Sequence, residues 1–142
     1  LEGTKIKVIE TLVKNKINVM GHLGYLPQSG KPKVNRKEKQ LIRDAKKLEK
    51  AGCSLIVLEL VPEKIAKRIT EEISIPTIGI GAGKYCSGQV LVFHDLLGLN
   101  PNNFKPKFLK QYANLEKEAV NAVKQYSDEV REGKFPSKKN SY

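Results

Sequence analysis

The stretch Ser54-Leu-Ile-Val-Leu-Glu-Leu-Val-Pro62 decides how this chain is read. Apart from Glu59, every residue from Leu55 to Val61 is aliphatic. An uninterrupted apolar run of that length is the pattern of a strand buried on both faces, whereas a half-exposed strand alternates. A carboxylate near the end of such a strand needs a reason. Gly52 precedes the run and Pro62 closes it, so the strand lies between two helical patterns.

The same cycle recurs on either side. From Thr4 to Asn15, Ile6, Ile9, Leu12 and Val13 keep helical spacing, and Ile17 to Met20 is then a short apolar run ending at Gly21-His22. Ser29 to Asn35, with Gly30 and Pro32, reads as an exposed loop. Leu41, Ala45 and Leu48 form the stripe of a helix that Gly52 can end as a C-cap. Pro62 suits the first turn of the next helix, and Ile65, Ala66, Ile69 and Ile73 supply its buried face. Ile75 to Ile80 predicts a strand, Gly79 to Gly83 a turn, and Gln89 to Phe93 a further apolar strand leading to His94-Asp95. Beyond Pro106 the pattern is helical again, through Phe108, Leu109 and Tyr112, then Ala119, Val120, Val123 and Val130, ending at Gly133. Lys134 to Tyr142 is a polar, loose tail. Leu1-Glu2-Gly3 reads as the last residues of one more strand, whose beginning lies before the chain starts.

Strands separated by helices predict a parallel sheet covered on both faces. A closed (β/α)8 barrel takes about 250 residues, so five strand ends in 142 residues match its second half. The expected fold is thus α/β: the C-terminal half of a TIM barrel, with parallel strands and extra C-terminal helices.

Composition narrows the class. With 39% hydrophobic and 29% charged residues, the chain has the balance of a globular protein. It contains no apolar run near the roughly 20 residues of a membrane helix and no signal-like N-terminus, so a cytoplasmic location and no membrane partner are expected. Cys53 and Cys86 do not form a Cys-x-x-Cys motif and are expected as free, partly buried thiols. Twenty-six Lys plus Arg against 15 Asp plus Glu leave a net charge of +11, which suits a polyanionic partner. The cations are interleaved with Glu, as in Lys46-Lys47-Leu48-Glu49-Lys50, without aromatics to stack on bases. Solvated helix faces account for them better than nucleic-acid binding, although the positive field would help gather anionic substrates.

Three polar residues, Glu2, His22 and Glu59, end apolar segments that Gly or Pro then interrupts. Strand ends facing one cavity are where parallel α/β proteins place their chemistry. An unpaired carboxylate in an apolar wall is costly to ionise, which is the condition of a general base working near neutrality. Pairing of Glu59 with a lysine from a neighbouring helix is the alternative. Taken singly, His22 reads equally as a core histidine, His94-Asp95 as a helix entry with Asp95 capping, and Gly79 to Gly83 as a tight strand exit, since it lacks both the dinucleotide and the P-loop spacing.

Six segments in order change that balance. Val19-Met-Gly-His-Leu-Gly-Tyr-Leu-Pro-Gln28, Val57-Leu-Glu-Leu-Val-Pro62, Ile75-Pro-Thr-Ile-Gly-Ile-Gly-Ala-Gly83, Cys86-Ser-Gly-Gln-Val-Leu-Val92, His94-Asp-Leu-Leu-Gly98 and Pro106-Lys-Phe-Leu-Lys-Gln-Tyr-Ala113 together closely resemble the ketopantoate hydroxymethyltransferase family, from Leu1 to about Gly133. The resemblance implies that residues 1–133 are the C-terminal half of a single (β/α)8 catalytic domain and 134–142 a flexible tail. It implies a Mg²⁺-dependent enzyme, usually a homodecamer. Such an enzyme transfers a hydroxymethyl group from 5,10-methylenetetrahydrofolate to 3-methyl-2-oxobutanoate, giving 2-dehydropantoate for pantothenate and coenzyme A. Glu59 matches the family's proton acceptor, Glu2 a carboxylate of the Mg²⁺ site, and His22 an active-site-facing histidine.

The family's two metal-binding aspartates, its substrate-contacting serine and the lysine before the Glu-Gly have no counterpart here, so the chain by itself is expected to be inactive. The loop after Gln28 is shorter than the family pattern, and Ser87 stands where Asp is usual. Two other readings remain at this point: a related Mg²⁺-dependent barrel lyase acting on another 2-oxo acid, and a non-catalytic basic binding module.

Overall fold

A computed structural model describes residues 1–100 and 105–142. The first elements are α1 (Ile6–Lys14), β1 (Met20–Gly24), α2 (Glu38–Lys50), β2 (Leu55–Glu59), α3 (Glu63–Glu72), β3 (Thr77–Ile80) and β4 (Gly88–Gln89), followed by α4 (Phe93–Leu97) and α5 (Leu115–Arg131). Short 3-10 turns occupy Pro27–Ser29 and Lys138–Asn140. The chain packs as two units, Leu1–Val90 and Leu91–Tyr142.

In the first unit the four strands are parallel and lie in the order β1-β2-β3-β4. A doubly wound sheet reverses its order at some point; this one does not. Successive right-handed crossovers that always advance in one direction put every helix on the same face, the arrangement of a (β/α)8 barrel, of which four strands are half. The sheet gains one further step at its β1 edge. Glu2 bridges His22 in parallel, and the Gly3 N–H donates to the His22 carbonyl at 3.0 Å, as expected for a strand end at Leu1-Glu2-Gly3.

The helix-covered face is the core. Leu48, Ile56, Leu58 and Ile69 are fully buried there, together with Ile9 from α1. Each such side chain contributes roughly 1.5–3 kcal/mol through removal from water. Gly21 belongs to the same layer: a Cβ on it would stand 2.9 Å from Leu48 Cδ1, so the β1–α2 contact is close because residue 21 has no side chain. Gly52, at φ +95, follows Ala51 and turns the chain out of α2 in the expected C-cap role.

The other face departs from the expected double cover. Burial alternates along β1 and β3, and on this second face Met20 is 49% exposed while Leu55, Ile78 and Ile80 are only half-buried. Within this unit, helices cover one side only. The apolar run of β2 thus meets two environments: helices on one side, and a partly open concave layer on the other.

Several boundaries differ from the sequence reading. β1 starts at Met20, where the apolar run ends, because Gly21 and Leu23, not Ile17, face α2; Ile17 is 51% exposed. β4 is two residues long instead of the apolar strand over Gln89–Phe93. It pairs only with β3, which ends at Ile80, and beyond the Val90 N–H to Gly79 carbonyl bond Val92 and Phe93 are exposed. Lys105–Asn114 is irregular where a helix was expected, and α5 begins at Leu115, capped by Asn114 Oδ1 accepting from the Lys117 N–H at 3.3 Å.

Ser87 helps pin the glycine turn to the sheet. Its Oγ accepts from the Thr77 N–H at 3.1 Å, and its own N–H donates to Thr77 Oγ1 at 3.3 Å. Both cysteines are free, and burial pushes both thiols up from their ordinary value, so they remain protonated at neutral pH. No helix among the described residues is long and apolar enough to cross a membrane.

In the second unit, α4 closes with Gly98 at φ +66. The Gly98 N–H reaches the Asp95 carbonyl, and the Leu99 N–H reaches the His94 carbonyl, the paired bonds of a Schellman end. Asp95 does not cap the helix as the sequence suggested; its Oδ1 accepts from Asn100 Nδ2 at 2.9 Å. α5 contains no buried residue.

Candidate active site

The register of the sheet sets where the three singled-out residues point. Glu2 is level with His22, His22 with Val57, and Val57 with Ile78. Neighbours in parallel register point the same way, and residues two apart on one strand share a face. Glu2, His22 and Glu59 therefore all project onto the partly open face, near the C-terminal ends of their strands. This is where a parallel barrel gathers its reacting groups.

Glu59 lies one layer beyond His22, level with Gly24 and Ile80. Gly24 offers no side chain beside it, and the carboxylate reaches back diagonally to His22. The two meet with His22 Nε2 3.0 Å from Glu59 Oε2, both side chains less than one-fifth exposed. The imidazole nitrogen misses the alignment of a hydrogen bond, so the contact is one of proximity. The lysine partner considered for Glu59 is not what the fold supplies: its neighbour is the histidine.

The backbone around Glu59 is held from both sides. Gly24 adopts φ +98, and a Cβ there would collide with the Glu59 carbonyl oxygen and lie 2.8 Å from Val61 Cγ2. The Tyr25 N–H donates to that same carbonyl at 2.7 Å. Leu60, next in the chain, sits at φ +50, a conformation that non-glycine residues seldom adopt and that is retained where surroundings over-determine it. Its N–H donates to the Ile80 carbonyl at 3.0 Å, and its carbonyl accepts from the Asn35 N–H at 2.9 Å. Sequence reasoning missed Leu60, since no residue type signals such a turn, and it missed Gly24 although the His-Leu-Gly run contains it.

Glu2 meets the backbone of the β1 exit, with Oε1 accepting from the Gln28 N–H at 3.4 Å. Among the described residues no group of three or more His, Cys, Asp or Glu side chains gathers as a metal site. Magnesium takes six oxygens in near-octahedral geometry, commonly one or two carboxylates with several waters. Glu2 offers one carboxylate, so these residues do not by themselves build a magnesium site. The Gly79–Gly83 run behaves as a tight strand exit: Gly81 and Gly83 take φ +63 and +77, and the Gly83 carbonyl accepts from Gln89 Nε2 at 2.9 Å.

The chain is 51% identical to the 3-methyl-2-oxobutanoate hydroxymethyltransferase of Thermosipho melanesiensis, over 100% of this chain and 57% of the relative. It is 51% identical to the enzyme of that name from Kosmotoga olearia, over 95% of the chain and 53% of the relative. It is also 51% identical to that of Clostridium botulinum strain Langeland, over 100% and 55%. The first alignment runs over 152 positions against 142 residues, so that relative has residues at positions where this chain has none. The chain spans about half the length of these curated relatives. The ketopantoate hydroxymethyltransferase family profile matches residues 1–138, and the chain belongs to that family.

Proposed function

We propose that this chain supplies the proton-accepting half of a 3-methyl-2-oxobutanoate hydroxymethyltransferase, and that residues 1–133 are the C-terminal half of one catalytic domain, followed by a polar tail over 134–142. The observation that carries the reading is the Glu59–His22 pair, set at the strand ends on the partly open face of the sheet. Glu59 takes the proton from the branched carbon beside the keto group of 3-methyl-2-oxobutanoate. The resulting enolate attacks the methylene carried by 5,10-methylenetetrahydrofolate; the folate amine leaves, and water supplies the hydroxyl oxygen of 2-dehydropantoate. His22 positions the carboxylate.

Glu2 is this chain's candidate ligand to Mg²⁺, which when bound would polarise the keto group. The remaining ligands would come from the part of the relatives that this chain does not match, and for the same reason the 142 residues alone are inactive. A homodecamer in the cytoplasm is the expected setting.

The test is exchange of the C3 hydrogen of 3-methyl-2-oxobutanoate for deuterium, followed by NMR. It is run on the chain combined with the unmatched segment of the Thermosipho melanesiensis relative. Exchange should need both pieces, and Glu59→Gln should slow it by about 10²–10⁴-fold. Near-normal exchange by the variant would remove Glu59 from the role of base. Formation of 2-dehydropantoate by the 142 residues alone would overturn the claim that they need completion.

A further inference from the structure

A second feature lies beside Glu59 and plays no part in the chemistry above. An open cleft of about 490 Å³ is lined by Gly24, Tyr25 and Asn35 together with four cations, Lys31, Lys33, Arg36 and Lys37. No carboxylate lines it. Elsewhere in the first unit some basic side chains pair with acidic ones, Lys46 with Glu72, Lys67 with Glu71, and Arg68 with Glu38 and Glu72, while others among the described residues, such as Lys39 and Lys64, stand alone on helix surfaces. None of the four cleft cations forms an ion pair among the described residues.

The loop that carries them is fastened. The Tyr25 hydroxyl donates to the Gly30 carbonyl at 2.7 Å, and Asn35 Oδ1 accepts from the Lys37 N–H at 3.1 Å. Asn35 Nδ2 donates to the Gly24 carbonyl at 3.3 Å. The cleft is also tied to the strand end that bears the proposed base, through Tyr25 N–H to the Glu59 carbonyl and Asn35 N–H to the Leu60 carbonyl. Four like charges on one concave wall repel one another and focus a positive field outward, and a ligand with several anionic groups relieves that repulsion.

We infer that this cleft is a subsite for a small molecule carrying several closely spaced anionic groups, and that its ligand is the glutamate carboxylate tail of the one-carbon donor. The identity of the donor rests on the function proposed above; the anion site rests on the cleft alone. The tail would lie in the cleft while the reactive methylene faces Glu59, so the loop sets affinity for the donor without touching the reacting atoms. Free oligophosphates share the chemistry and are the competing source.

The 142-residue chain is titrated calorimetrically with tri-γ-glutamate, and separately with inorganic tripolyphosphate, at low and at moderate salt. Tri-γ-glutamate should bind saturably, with affinity falling about tenfold or more as salt screens the cleft. The pair Lys33→Gln and Arg36→Gln should weaken binding by at least about fivefold. Lys138→Gln with Lys139→Gln, which removes equal charge from the exposed tail, should leave it within about twofold. All of these side chains are exposed, so the variants should melt like the parent. Absence of saturable binding, or equal losses in the two double variants, overturns the subsite. Binding of tripolyphosphate without tri-γ-glutamate overturns the donor tail as its ligand. Because this readout needs no turnover, failure of deuterium exchange with binding intact breaks the catalytic reading and leaves the anion site standing.

Discussion

Ile56 and Leu58 point toward the helices and are fully buried; Val57 and Glu59, interleaved with them on the same strand, point the other way, where Met20 is half exposed and a carboxylate meets an imidazole. Four consecutive residues thus build two surfaces under different constraints. The helix side is packed for stability, and any lost volume leaves a hole. The other side tolerates polar groups and open space because its layer is incomplete within this unit, and chemistry is affordable there.

Truncation on the packed side should give the largest effect. Leu58→Ala should destabilise the chain by about 3–4 kcal/mol in urea unfolding, whereas Met20→Ser, on the open side, should stay within about 0.5 kcal/mol. Similar losses from the two would erase the distinction between the faces. Next comes Gly24→Ala, which places a Cβ against the Glu59 carbonyl at a backbone angle that suits glycine. A cost of about 1–3 kcal/mol is expected, with slower deuterium exchange in the completed enzyme, because the strand end carrying the proposed base must shift.

The smallest effect concerns the helix layer's outer rim. Lys46 Nζ lies 2.7 Å from Glu72 Oε2, and this bond, chiefly, holds the Glu72 carboxyl below its ordinary value, with Arg68 assisting. A depressed carboxylate contributes stability above its unfolded value and loses it as pH falls through the folded one. Lys46→Met should therefore lower stability slightly at neutral pH in urea unfolding, with the difference from the parent fading as pH falls through the folded value of Glu72. A small loss that stays the same at acid and neutral pH would mean that the Glu72 charge is not what the pair stabilises.

α3 and α5 show where a sequence pattern stops being informative. Both carry apolar stripes at helical spacing. Ile65, Ala66 and Ile69 of α3 are buried against the sheet, while Val120, Val123 and Tyr126 of α5 are 57–67% exposed. Spacing predicts a face; it does not say what covers the face. The same limit appears at β4, where Val90 and Val92 have strand character but pairing continues only as far as β3 provides a partner.

The site was legible to a similar depth. Glu59 declared itself by standing in an aliphatic run, and Glu2 and His22 by ending neighbouring segments. Their common face follows from parallel register once the strands are known. The ordered segments pointed to the family before any coordinate was seen, and the covering matches bear that out. The four-cation cleft was hidden in a loop that composition alone merges with the solvated lysines of the helices.

Local sequence thus determined the alternation of strand and helix, the anomalous carboxylate, and the glycines where the backbone must turn sharply, because these depend on residues adjacent in the chain. The tertiary structure alone decided that Glu59 faces a histidine instead of a lysine, that Leu60 is held at positive φ by β3 and the loop at Asn35, and that four cations share one wall. Those outcomes depend on which distant segments the sheet brings into register, and no single stretch of sequence encodes that.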